Sequence, residues 1–551
     1  MKKTIILLLP ALLLFSCLKD EVNLNRINSD AFNPSFALPI ASAKLQVGRL
    51  NEKGNRFLEV NPTTGILEFA YLSEAYKLGF SDIYQVQNQG VNTSVSMPAS
   101  VVSAFNSSST GTSTSFSSSN TATLSVSGSE QLDSILIQNG NLNLSVSSTY
   151  AHNISITLTV PSLVKNGVVY TKVVPLNYTG TLPVTATIND LLDGYKIDAT
   201  DGGATNNTLR FNYAVTVTKG VTPATGVESI DFNFNIGLNS IDKVFGYFGN
   251  ATKNYTDSVE YDIFDNIFGG TLSFADPRIE LTVFNSTGID VDANFTSITA
   301  PDNSVNTNLG GPGLTNIPVI MGATIVGDST ITNHTIDNSN TSPTLTTIMD
   351  EKPSKFIFAT SFQYNPSGVT KNFVTQNSEI RAASKFVIPL DLYGNDFNLN
   401  DTNNTDIEDV FGVSEADADN INKITLRMFV INKLPIEAKL QVYFTDSSNQ
   451  LLDSLFDNGS QMILGRAAVN FTVPSTDPSY GKVIGATTKT VDAIMTKEKY
   501  KRLLQSNSSK IIFRASTNTV DAASMRYVKI FPEDYIDIKL SAKLDLNVVI
   551  K

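Results

Sequence analysis

Apolar and polar residues alternate along most of this 551-residue chain, and a period of two restricts it to β-structure. Successive side chains of a strand point to opposite faces, so an alternating run buries one face and wets the other. Leu142, Leu144 and Val146 alternate with polar residues, as do Ile154, Ile156, Leu158 and Val160. The pattern recurs at Ile279, Leu281 and Val283, at Leu426, Met428 and Val430, and at Ile536, Ile538 and Leu540, continuing into Leu546, Val548 and Ile550. Asn166-Gly167 between two apolar runs supplies the positive φ angles of a tight hairpin turn. Helices are few. The best one starts at Thr496 as N-cap, carries Glu498 in its first turn and runs through Tyr500, Leu503 and Leu504 to a stop at Asn507. Short helical turns are expected near Ile188–Leu192 and Leu345–Asp350.

A weak internal repeat overlies this pattern. Phe284-Asn285-Ser286-Thr287-Gly288-Ile289 matches Ile431-Asn432-Lys433-Leu434-Pro435-Ile436. Each follows an alternating strand and leads into another, which reads as a strand, a turn at Asn and a return strand. Leu142–Val146 followed by Ile154–Val160 shares the strand pair without the turn motif. These units resemble the strand–Asn–turn–strand elements of small immunoglobulin-like or late-embryogenesis-type sandwiches. The expected fold class is all-β, with several tandem immunoglobulin-like β-sandwich modules and few short helices. Residues 93–128 are so rich in Ser and Thr that they read as a solvated hairpin or loop. Further loops are expected at Asn303–Pro318 and Asn395–Glu408. The expected organisation is 1–16 leader, 17–35 linker, 36–130 N-terminal β region, 131–236, 237–385 and 386–551 sandwiches, the last with one helix.

Lys2 and Lys3 precede an apolar run from Ile5 to Phe15. That run falls short of the roughly 20 residues a spanning helix needs and has the form of a secretory signal peptide. Leu14-Phe15-Ser16-Cys17 resembles the bacterial lipobox, which implies cleavage before Cys17 and a thioether-linked diacylglycerol on it. Cys17 is the single cysteine of the chain, so no internal disulfide forms. One acyl chain anchors only marginally, and a lipoprotein's several chains meet the need. Lys19-Asp20-Glu21 resembles the signal that sends Bacteroidota lipoproteins to the outer face of the outer membrane. The expected location is therefore the outer membrane, lipid-anchored at the cell surface.

Without the two leader lysines the formal charge moves from −12 to −14. An acidic surface with no basic run repels nucleic acid and anionic lipid, so attachment comes from lipid on Cys17 and not from a basic patch.

Motifs for chemistry are sparse. The two histidines, His152 and His334, fit no zinc spacing and read as solvated. There is no Gly-x-Ser-x-Gly elbow, and Ser162-x-x-Lys165 leads straight into the hairpin turn. The Gly310–Gly313 loop lacks the lysine and helix of a phosphate cradle. Asp396 to Asp401 places oxygens at alternate positions, as in calcium loops, but lacks the glycine and glutamate of that motif and reads as a polar turn. Asp133-Ser134-Ile135, Asp257-Ser258-Val259, Asp328-Ser329-Thr330 and Asp453-Ser454-Leu455 resemble the Asp-Ser/Thr-apolar O-glycosylation acceptor of Bacteroidota, which marks Ser134, Ser258, Ser329 and Ser454 as candidates.

The sequence thus points to a non-enzymatic, surface-anchored lipoprotein for binding or envelope assembly, with no cofactor, no metal and no catalytic residue. Its partner would be an envelope protein or a glycan. The alternatives are a glycan-binding accessory of a polysaccharide-uptake system, favoured by a row of exposed tyrosines, and an unmarked glycoside hydrolase, which needs two carboxyls about 5–10 Å apart in a cleft.

Overall fold

The computed structural model describes residues 35–49, 58–85, 87–260, 264, 267–301, 306–405, 407–411, 413–506 and 508–547. Strand makes up 57% of it and helix 9%, so the chain is mostly β, in several antiparallel sheets. The alternating runs form strands as the sequence reading expects, with Val548 and Ile550 outside the described residues.

Three sets of strands share one pairing plan. In the first, Gln89–Val95, Ile230–Tyr247, Gln131–Ser148 and Val184–Leu191 pair in that order. Facing them lie Ser113–Thr123, Thr208–Thr218, Asn153–Lys165 and Val168–Leu176. In the second, Leu67–Gly79, Glu379–Pro389, Arg278–Asn285 and Thr330–Ile336 face Thr252–Glu260, Lys355–Tyr364, Val291–Pro301 and Asn306–Leu309. In the third, Ser35–Gln46, Tyr535–Leu546, Ile421–Asn432 and Thr487–Thr496 face Phe397–Asn403, Lys510–Thr519, Ile436–Thr445 and Leu451–Ser454.

Aromatic rings close the gap between facing sheets. Phe211 meets Phe234 at 4.5 Å and Tyr213 meets Phe232 at 4.4 Å in the first sandwich. Phe356 meets Phe386 at 4.9 Å in the second. Such pairs add about 0.5–1.5 kcal/mol each beyond area burial. In the third, Ile424, Leu426 and Ala542 of one sheet share a core with Leu440, Val442 and Phe513 of the other. In the first sandwich, Lys196–Asp198 pairs with both Gln131–Ser148 and Asn153–Lys165 and joins the two sheets into one curved sheet.

The plan corrects the hairpin reading of the repeat. Arg278–Asn285 and Val291–Pro301 do not pair with each other. The chain crosses at Asn285 from one sheet to the facing one, and it does the same at Asn432. The reason is polar: the buried amide of each Asn replaces the backbone bonds that a hairpin would supply. Asn285 is 0% and Asn432 1% exposed. Asn285 Nδ2 donates to the Ile289 and Met321 carbonyls (2.9 and 3.2 Å), and its Oδ1 accepts from Thr287 N (3.0 Å). Asn432 Nδ2 donates to Ile436 and Gly465 (2.7 and 2.8 Å), and its Oδ1 accepts from Leu434 N (2.9 Å). In the first sandwich Ser148, also 0% exposed, stands in their place, with its Oγ accepting from Tyr150 N at 3.2 Å. All three sit opposite a buried isoleucine: Ile230, Ile380 and Ile536.

The sandwiches lie head to tail with the second in the middle. Phe373 and Val374 pair with Phe245 and Val244 of the first. Towards the third, Ile530 N donates to Leu390 O, Leu390 N to Leu67 O and Leu67 N to Ile530 O, at 2.8–3.0 Å. The N-terminal segment crosses all of them, giving Ser35–Gln46 to the third, Leu67–Gly79 to the second and Gln89–Val95 to the first. Pairing therefore joins residues of the 36–130 range with residues of the 237–385 and 386–551 ranges.

Local expectations fare unevenly. The Asn166-Gly167 turn has φ values of 51° and 77° and joins Asn153–Lys165 to Val168–Leu176. The helix Lys497–Gln505 is capped by Thr496, whose Oγ1 accepts from Lys499 N, and Leu345–Asp350 is helical as expected. The helical turn expected at Ile188–Leu192 is instead mostly strand, within Val184–Leu191, because Leu142–Ser148 provides a ladder for it. Residues 93–128 are not a loop: they hold the helix Ala99–Ser107 and the strand Ser113–Thr123. That strand buries little, and its Ser113 and Ser115 hydroxyls bond Thr218 and Thr216 on the neighbouring strand at 2.9 and 2.8 Å.

Candidate functional site

Cys17, Lys19, Asp20 and Glu21 lie outside the described residues. The four candidate serines are not brought together. Ser258 and Ser329 are exposed. Ser454 is half-buried, and its Oγ donates to Phe456 O at 3.3 Å. Ser134 lies in the sheet interior, paired opposite Phe245 and Asp198, and at 8% exposure its side chain is buried in the folded chain.

His152 corrects the solvated reading. His152 is 2% exposed, packs edge-on against Phe105 at 4.9 Å and accepts Gly220 N through Nδ1 at 3.0 Å. Burial lowers its pKa from 6.5, against the pull of Glu228, which suits a ring that must stay neutral at Nδ1 to accept. His334 Nε2 bonds Gly313 O at 2.7 Å. Both rings are engaged within the fold, His152 by Phe105 and Gly220 and the half-buried His334 by Gly313.

Other motifs are likewise spent. Ser162 Oγ accepts from Arg210 N at 2.9 Å, while Lys165 Nζ turns to Asp193 O at 2.7 Å. The backbone N–H groups of Gly310 and Gly313 donate to Ser342 and Asn340. Asp396 to Asp401 is not a turn as a whole: Phe397–Asn403 is a strand, which spreads the alternate oxygens along one face where a calcium loop would converge them. Among the described residues, no group of three or more His, Cys, Asp or Glu side chains is placed to hold a metal.

A charged cluster that sequence reasoning missed sits where the second sandwich meets the third. Arg278 forms a two-pronged pair with Glu68, both bonds 2.9 Å, and donates through Nε to Glu280 at 2.7 Å. Glu68 is 2% exposed and also accepts from Asn61 Nδ2 at 2.9 Å. Lys385 bridges Glu59 and Glu280. Burial works against the charge on Arg278, but the bonds to Glu68 and Glu280 outweigh it and hold its pKa above the ordinary range. No local signal marks the pair, because 210 residues separate its members. Nearby, burial pushes Asp391 up to about 6, with Asp276 adding and Lys529 opposing.

A cavity of about 30 Å³ lies between the sheets of the second sandwich, lined by Tyr76, Tyr255, Phe295, Phe358 and Phe362 among others. It has room for a water or two and none for a sugar. Asp257 is the carboxylate among its lining residues, and it accepts from Ser73 Oγ at 3.0 Å. A glycosidase pair would need a second one there. Every described tyrosine is buried or half-buried, so none stands in an exposed row of the kind that stacks on a glycan.

No family model and no curated protein matches the chain. Among solved structures, it is similar to a protein of Parabacteroides distasonis inferred to be secreted, at 10% identity over 93% of this chain and 99% of that one, with a TM-score of 0.26. Weaker likenesses are PNGase F, a glycosylasparaginase from Flavobacterium meningosepticum, at 12% identity over 54% and 95% of the two chains (TM-score 0.15), and the VP2 subviral particle of infectious bursal disease virus, at 8% over 80% and 81% (TM-score 0.12). Likenesses of this degree carry no argument about chemistry. No helix of the described residues is long and apolar enough to cross a membrane.

Proposed function

We propose that the chain is a lipid-anchored protein of the bacterial outer membrane, held through acylated Cys17, facing outward and acting by binding or assembly without catalysis. One observation supports this reading above the others: the polar groups enclosed in the fold hold its crossings and its N-terminal segment in place. Asn285, Asn432 and Ser148 fix the sheet crossings, and Glu68 and Arg278 bind the N-terminal segment to the body. With these inner polar groups committed to scaffolding, the outer faces are the natural working surface. The Lys19-Asp20-Glu21 segment supports the outward placement, and exposed Ser258 and Ser329 are candidate glycan acceptors.

Metabolic labelling with radioactive palmitate tests the anchor. The native chain takes up label and sediments with membranes, and Cys17→Ser does neither. A Cys17→Ser protein that stays processed and membrane-bound would end this reading. Pull-down from intact membranes then identifies what the chain assembles with.

A further inference from the structure

We infer that the molecule stands on its third sandwich and carries its first sandwich at the membrane-distal end. The inference rests on the lipid-anchor reading and adds an orientation to it. In a row of modules built in simple succession, the N-terminal anchor would leave the first module against the membrane. Here the N-terminal segment reverses that order. Its first described strand, Ser35–Gln46, belongs to the sandwich whose body is the last part of the chain.

The direction of that strand matters as much as its membership. Ser35 pairs with Asp545, and Gln46 with Tyr535. Tyr535 O accepts from Lys433 N and Asp534 O from Val47 N at the end where Asn432 turns. Leu434, beside that turn, belongs to the core shared with the second sandwich. Ser35 is therefore at the opposite end, the free end of the row. From Cys17 to Ser35 the chain can reach at most about 65 Å at roughly 3.5 Å per residue, which keeps the third sandwich near the lipid. Strands of about ten residues at ~3.3 Å each, laid head to tail three times, put the far end of the first sandwich roughly 100 Å beyond it. The formal charge of −14 on the mature chain opposes lying flat on an anionic leaflet.

The distal end so placed has a distinctive outer face. Thr187, Ser145, Asn233 and Asn92 stand side by side across four strands, and Asn189, Asn143, Asn235 and Gly90 form the next row. It offers hydrogen bonds with little charge.

The test uses the full lipidated protein in phosphatidylcholine–phosphatidylglycerol vesicles with an acceptor dye on a lipid headgroup. Because Cys17 is acylated, an introduced cysteine is the sole free thiol for a donor dye. Val221→Cys reports the distal end, beside Gly220 and His152, and Ser447→Cys the free end of the third sandwich; Val221 is 91% exposed, and Ser447 is exposed. A separation of roughly 100 Å predicts donor lifetime shortened about twofold or more at position 447 and unchanged at 221. Equal quenching at both sites, or stronger quenching at 221, overturns the orientation while leaving the anchor intact. Protein that fails to float with the vesicles overturns the anchor, and the orientation with it.

Discussion

Asn285 and Asn432, 147 positions apart in sequence, hold the same place in two sandwiches and make the same bonds: an amide nitrogen donated to the carbonyl four residues on, and an oxygen accepting from the N–H two residues on. Replacing either by Ala strands one buried carbonyl and one buried N–H, each lost partner costing about 1–3 kcal/mol. Asn285→Ala should lower protection of the second sandwich in hydrogen exchange and leave the first unchanged; Asn432→Ala should do so in the third. Asn→Ser should recover part of the loss, because Ser148 already performs the accepting half of the role in the first sandwich.

The Glu68–Arg278 pair binds the N-terminal segment to the body of the second sandwich. Glu68 is 2% exposed, so Arg278→Met leaves a buried carboxylate unpaired and should cost about 3–5 kcal/mol. Adding Glu68→Gln to it should return much of that loss in a denaturation cycle, and Arg278→Lys should not substitute, because an ammonium lacks the planar fork that fits both oxygens of Glu68 while a third N–H reaches Glu280. Additive single and double effects would show that the pair is not coupled.

Two buried groups give stability opposite pH dependences. His152 has its pKa lowered in the fold from 6.5 by burial. Its contribution is present in full above 6.5 and shrinks as pH falls below it, because the unfolded chain binds the proton first. Asp534, 0% exposed, is pushed by burial from 3.8 up to about 6. Its contribution is full below 3.8 and is lost as pH rises through 6. Asp534→Asn should therefore stabilise the third sandwich at pH 7.5, by up to about 3 kcal/mol, and not at pH 3.5. His152→Phe should flatten the fall in melting temperature between pH 7 and pH 5.

If the Asp-Ser patterns are modified, exposure decides which. Intact-protein and peptide mass spectrometry should find sugar on Ser258 or Ser329 before Ser454, and none on Ser134, which is 8% exposed. Modification of Ser134 alone would refute this order.

Most strands were legible because their period is local: Leu142, Leu144 and Val146 are each 1% exposed or less. The N-cap at Thr496 and the Asn166-Gly167 turn were legible for the same reason. The repeat at Asn285 and Asn432 was visible in letters, but its meaning was not, since a turn and a crossing between sheets differ only in which distant strand waits on the other side. Ser148 escaped notice because it keeps the role with a different side chain. The Ser/Thr-rich strand Ser113–Thr123 escaped because its apolar content is low and its ladder partner lies about 95 residues away. Pairings such as Ser35 with Asp545 leave no trace in a window of sequence.

That last pairing governs how the molecule comes into being. Ser35–Gln46 waits for Tyr535–Leu546, so the third sandwich cannot close until that late strand has been made. Closing a loop of about 500 residues is entropically slow. The middle of the chain, whose strands pair mostly across about 100 residues and not 500, is free to condense earlier. Assembly then runs from the first and second sandwiches towards the third, and an interrupted synthesis would leave Ile421–Asn432 without Tyr535–Leu546 beside it, an open sheet edge prone to aggregation.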